Sequence, residues 1–250
     1  MAMGACRDGL RRMGSGLLLP AALLCLTACA SAPASGDGKK VSQDQGSGGI
    51  EQLAKTDMDR LTDIEMRENT ASLRRLMVKL YKRNPRELRK SGELDAEARA
   101  AAVFDGRTDW RFEEIGGLRD IAAIHQALSE DYAGDRVLCL IVGLQTMLIQ
   151  AHGGKSMFYL TDNLDPQALY NVARNVEIAV WKLSNARDGQ GQLLLLTNEI
   201  NETDRNLSFE REFGKIVGRL DLLAEALSKK FNRKLIQMVQ TMASALFLPF

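Results

Sequence analysis

The stretch from about 135 to 152 constrains this chain most. Val137 to Val142, Leu144, Met147, Leu148 and Ile149 are apolar nearly all round a helical projection. A helix with no polar face must be surrounded by protein or lipid. About thirteen mostly apolar residues are too few to cross a bilayer, which takes about 20. The segment therefore predicts a central core helix that other elements must enclose. His152 followed by Gly153-Gly154 marks its end, a cation and a left-handed turn both suiting a helix C-terminus.

The rest of the body supplies amphipathic helices to do the enclosing. From about 51 to 83, Met58, Leu61, Ile64, Leu73, Leu76, Met77 and Leu80 recur three and four apart, which is one apolar stripe on a charged helix. Asn84-Pro85-Arg86-Glu87 reads as a stop and a restart, with Asn84 as cap, Pro85 at the first position and Glu87 reaching back in a capping box. An Ala- and Glu-rich helical piece follows at about 94–103. Residues 104–117 break the periodicity between the turn signals Asp105-Gly106 and Gly116-Gly117. A helix over about 118–131 places Leu118, Ile121, His125 and Leu128 on one face.

Asp165-Pro166 opens the clearest helix, about 166–186, with Leu164 stapling onto Leu169 and a stripe of Leu169, Val172, Val176, Val180 and Leu183. Gly189-Gln190-Gly191 is a loop. The four leucines 193–196 lack β-branching and read as short helix or buried coil rather than strand. From Ser208 the chain reads helical almost to its end. Phe213, Val217, Leu220, Ala224, Leu227 and Phe231 form a heptad seam, which slips by one at Asn232 and continues through Leu235, Met238 and Met242. The expected fold is all-α, an irregular multi-helix bundle in a single domain over 50–250, with a long C-terminal helix.

The N-terminus is of another kind. Arg7, Arg11 and Arg12 precede an apolar run from Gly16 to Leu26. About eleven residues suit a secretory signal and are too few for a membrane span. The run ends in Leu26-Thr27-Ala28-Cys29, a lipobox at all four positions. Residues 1 to about 35 thus resemble bacterial lipoprotein precursors. That resemblance implies removal of residues 1–28, a diacylglycerol on the thiol of Cys29 and an acylated new amine. Two or more acyl chains make a stable anchor. Ala30 and Ser31, with no Asp after the cysteine, imply transfer to the outer membrane on its periplasmic side. Residues 30–49, rich in Ala, Ser, Gly, Asp, Lys and Gln, have nothing to bury and form a flexible tether. With Cys29 they make up the segment 29–49.

Losing residues 1–28 removes three of the 33 basic and one of the 32 acidic residues, leaving a net charge near −1. Such a chain has no overall field for nucleic acid. The basic run from Arg74-Arg75 to Lys82-Arg83 reads as a solvated helix face. Cys6 and Cys25 leave with the signal and Cys29 is lipidated, so Cys139 stays as a lone thiol in an apolar run, a small buried hydrophobe.

No motif spells out a chemistry. His125 and His152, the two histidines, stand outside any His-Glu-x-x-His pattern. His125 reads as a core residue. No metal or cofactor is implied. Asp105, Asp109, Glu113 and Glu114 cluster with Trp110, and Asp109 and Glu113 are the candidate acid–base pair for a glycan, with the indole as a sugar platform. Interleaved Arg107 and Arg111 explain the same cluster as ion pairing. The first expectation is a membrane-anchored, non-catalytic scaffold or accessory subunit of an envelope assembly, binding another envelope protein through an apolar helix face. The alternatives are an envelope enzyme acting on peptidoglycan or lipid through the 105–114 loop, and a carrier of apolar ligands.

Overall fold

The computed structural model describes residues 56–106, 109–155, 164–200, 205–236 and 246–250. The signal segment, Cys29, the tether, Arg107, Met238 and Met242 lie outside these described residues. What is described is an all-α domain: α1 (Asp57–Arg83), α2 (Pro85–Lys90), α3 (Ala96–Gly106), α4 (Asp120–Ala127), α5 (Arg136–Ala151), α6 (Pro166–Asn185) and α7 (Ser208–Lys230). A 3-10 turn (Glu113–Ile115) and two two-residue strands, Glu199–Ile200 and Arg205–Asn206, complete it.

The core helix lies where its composition requires. Thirteen consecutive residues of α5, Arg136 through Leu148, are buried. Asp135 caps the helix, its Oδ1 accepting from the Leu138 N–H at 3.0 Å. Around α5 the helices close a ring, with α5 on α1, α1 on α7, α7 on α6 and α6 back on α5. α4 packs along α5, and α3 along α1.

The α4–α5 contact departs from the periodicity reading. The helix is only eight residues long, and its buried face is Ala123, Ile124 and Ala127. His125 is exposed, and Leu118, Ile121 and Leu128 are half-buried. The reason is close approach. A methyl group on Gly143 of α5 would lie 2.7 Å from Ile124 Cγ1 and 2.8 Å from the Asp120 carbonyl. Backbones this near leave no room for a side chain at Gly143, so Ala123 and Ala127 face inward with Ile124 seated over the glycine, while Leu118, Ile121, His125 and Leu128 turn partly or wholly out. Asp120 starts the helix at φ 53°, with its N–H donating to Thr146 Oγ1 at 2.7 Å.

Other boundaries moved for reasons that act at a distance. Asn84 does not cap α2. Its Nδ2 donates to the carbonyls of Leu80 and Leu196, and its Oδ1 accepts the Leu196 N–H. Glu87, freed from any capping box, accepts the Arg136 N–H at 2.8 Å and pairs with Lys90. The leucine run 193–196 is accordingly neither helix nor buried coil. It begins at a bridge to Arg187, Leu195 is buried and Leu196 is exposed. α7 ends at Lys230, short of the expected length, and Asn232 takes φ 52° at the foreseen bend.

The heptad seam is filled within the chain. Phe213, Leu220, Ala224 and Leu227 are buried, joined by Phe209, Ile216 and Leu223, against α1 and α6. The basic run of α1 ties this packing together. Arg74 holds Asp105, Arg75 holds Glu212, Lys82 holds Glu97 and Arg83 holds Glu199. These side chains are partly exposed, yet between them they reach α3 twice, α7 and the strand Glu199–Ile200. Helical spacing that spreads charge around the rod also distributes it among the elements packed on the rod.

His152 ends α5 as expected, but from the interior rather than the surface. It is fully buried, with Nε2 2.9 Å from Glu65 Oε2 of α1 and Nδ1 2.7 Å from the Leu148 carbonyl. Glu65 also accepts from Asn69, whose Oδ1 takes a hydrogen bond from Arg219 of α7 at 3.1 Å. One buried polar chain thus links α5, α1 and α7.

Candidate partner-binding surface

A broad concavity lies between α4 and the C-terminal half of α6. It encloses about 830 Å³ and is lined by Leu118, Ala122, His125, Leu128, Trp181 and Lys182, among others. Trp181 is 37% exposed, although it sits on the most regular helix of the domain. A second depression, about 430 Å³, flanks the same indole on its α7 side, with Val180, Phe213 and Val217. Trp181 is therefore a ridge between two grooves. An exposed tryptophan in a concave apolar setting has the character of an interface anchor.

The C-terminal residues close one margin of the groove. The Phe247 ring meets His125 edge-on at 5.1 Å and lies 5.8 Å from the Lys182 ammonium. His125 is exposed at the groove margin, yet partial desolvation there, with the nearby Lys182 charge, lowers its pKa from the usual 6.5. Leu248 is buried, whereas Leu246 and Pro249 are exposed.

Polar side chains of α6 hold this segment. Asn175, fully buried, accepts the Leu248 N–H at 2.6 Å and donates to the Leu248 carbonyl at 2.8 Å. Asn171 donates to the Pro249 carbonyl at 2.7 Å. Gln167 does for Ile236 what Asn175 does for Leu248, accepting its N–H and donating to its carbonyl. Gln167 and Asn171 are themselves hydrogen-bonded at 2.8 Å. Residues 167, 171 and 175 are four apart, so one helical face carries three amides in line. Sequence reasoning passed over them because each fell beside an apolar stripe. Three carboxamides at helical spacing within an otherwise buried face were the signal.

The acidic loop has a different character. Trp110 is buried, at φ 55°, with its ring edge-to-face against Phe104 at 5.3 Å and near Phe112 at 6.4 Å. An indole so placed anchors the loop and offers no platform to a sugar. Asp105 forms a two-point pair with Arg74, and Glu114 pairs with Arg99. Asp109 and Glu113 are both exposed, and the Asp109 carboxylate accepts the Arg111 N–H at 3.2 Å.

A third apolar feature lies between α1 and α7, where Leu61, Ile64 and Leu222 are exposed around a depression of about 140 Å³. Cys139 is buried and its thiol donates to the Ala123 carbonyl at 3.2 Å. Burial pushes its pKa up to about 11. Such a group is a packing residue rather than a nucleophile. Among the described residues no cluster of His, Cys, Asp and Glu is arranged to hold a metal ion, and no helix is long and apolar enough to cross a membrane. Comparison of the chain with family models, curated proteins and solved structures finds no match.

Proposed function

We propose that this chain is a lipid-anchored, periplasm-facing adaptor that holds another envelope protein in the groove between α4 and α6. Cys29 supplies the outer-membrane anchor and residues 30–49 the reach. The carrying observation is Trp181, exposed between two grooves on a helix whose other large residues are mostly buried. Most of the α7 seam is buried against α1 and α6, and the groove is larger than the depression beside Leu61, Ile64 and Leu222, which favours the groove for that role. The polar loop around Asp109 and Glu113 is built for packing and ion pairing, which favours a non-catalytic role.

Two measurements test the proposal together. Cys29→Ser should release the protein from the membrane fraction. A photo-crosslinking residue at Trp181, in cells carrying the anchored protein, should give a discrete adduct. The same residue at Leu94, exposed on another part of the surface, should not. Equal labelling at both positions, or none at Trp181, overturns the adaptor reading.

A further inference from the structure

The contacts of Asn175 with Leu248 are of an unusual kind. One carboxamide meets both the N–H and the carbonyl of a single residue, as a neighbouring β-strand would. Gln167 repeats the arrangement on Ile236. Such bonds read main chain and are indifferent to side-chain identity. In the recognition of extended peptides, main-chain bonds supply affinity and pockets for alternate side chains supply selectivity. Here the pocket takes one residue, Leu248. Pro249 has no N–H to offer, and the face asks none of it: Asn171 takes only its carbonyl.

Asn175 is fully buried with residues 246–250 in place, and both ends of its amide are satisfied by main chain. The chain's own residues 246–250 satisfy it. Leu248 is their one buried side chain; Phe247 and Phe250 pack against the core while half-buried, and Leu246 is 76% exposed. His125 and Lys182 touch that ring and also line the groove, so the amide face and the groove are continuous.

We propose that the amide face of α6 is a main-chain-reading peptide site. Residues 246–250 are its resident occupant. An extended partner segment carrying leucine preceded by an aromatic residue binds by displacing them, its aromatic side chain entering the groove beside Trp181. This inference rests on the adaptor reading and names the class of partner.

The test uses the full mature chain with Cys29→Ser, the peptide Leu-Phe-Leu-Pro-Phe carrying a fluorophore, and fluorescence anisotropy. Leu248→Asp should expel the resident segment, so the peptide should bind this variant at least about tenfold more tightly than the parent, in which the resident competes. If Leu248→Asp does not melt cooperatively, Leu248→Ala takes its place. Methylating the peptide nitrogen of the central leucine removes the donor to Asn175 and should weaken binding by about tenfold, the equivalent of roughly 1.4 kcal/mol. No binding to a folded variant overturns the proposal. So does equal binding of the methylated peptide, which would be mere apolar adhesion. A concentration-dependent dimer that Leu248→Asp abolishes would make a second copy the occupant, and would overturn it too. A Trp181 adduct in cells together with failure of the peptide assay would leave the adaptor standing and remove the peptide.

Discussion

Removing the Glu65 carboxylate should be among the most costly single changes in this domain. Glu65 is 3% exposed and His152 is fully buried, and their 2.9 Å contact joins α1 to the end of α5. The proton count follows from the other ring nitrogen. A carbonyl oxygen only accepts, so Nδ1 must donate to Leu148, and the contact between Nε2 and Oε2 holds one further proton shared by the pair. Glu65→Ala strips the imidazole of its carboxylate, takes from Asn69 its acceptor on this side, and opens a gap. Breaking a buried pair in this way costs about 3–5 kcal/mol. At roughly 2–4 °C per kcal/mol for a domain of this size, the melting temperature should fall by about 6–20 °C. Glu65→Gln is a sharper control. Its amide can donate to a neutral His152 and still accept from Asn69, so it should cost less than about 1.5 kcal/mol. Urea unfolding of the Cys29→Ser chain, followed by circular dichroism, separates the cases. Both variants within about 1 kcal/mol of the parent would refute the structural role of the pair. Equal, large losses for both would refute the hydrogen-bonding account of it.

Three further outcomes are expected. Gly143→Ala should destabilise by about 1–3 kcal/mol in the same unfolding assay, because the new methyl meets the Asp120 carbonyl and Ile124; a neutral result would mean that α4 can slide freely on α5. His125, its pKa lowered by partial desolvation and by Lys182, binds fewer protons when folded than unfolded, so its contribution to stability is present above pH 6.5 and is lost as pH falls through the lower folded value. A histidine NMR titration should therefore show a midpoint below 6.5, shifting upward on Lys182→Met; a midpoint at or above 6.5 in the parent contradicts the geometry. Cys139, at a pKa of about 11, should resist thiol reagents at neutral pH until urea unfolds the Cys29→Ser chain, and rapid labelling of the native protein would show the helix to be open.

Much of the architecture was legible before the fold was seen, and the reasons are local. The all-apolar run of α5, the Asp165-Pro166 start of α6 and the bend at Asn232 depend on residues within a turn or two of one another. The elements that escaped are those whose chemistry is settled across the chain. Asn84 looked like a cap and instead clasps Leu196, which is 112 positions away. His125 looked like a core residue and faces the groove, because α4 meets α5 at Gly143 through Ala123, Ile124 and Ala127, which turns His125 outward. Trp110 looked like a ligand platform and is buried.

The same division governs the candidate site. Sequence alone determined the helical class and the burial of α5, because periodicity and capping are short-range physics. It also carries Leu26-Thr27-Ala28-Cys29, the linear pattern on which the proposed lipid anchor rests, and such a pattern needs no fold. Only the tertiary structure decided which apolar surface stays open. Phe213 to Phe231 and Trp181 are both apolar as text, but α7 has α1 and α6 to cover its seam, whereas Trp181 stands 37% exposed beside the concavity that α4 and α6 line. The amides 167, 171 and 175 gained meaning from residues 60 to 80 positions further along the chain. An exposed face is what remains after every other face has found a partner, and that is a property of the whole packing rather than of any segment.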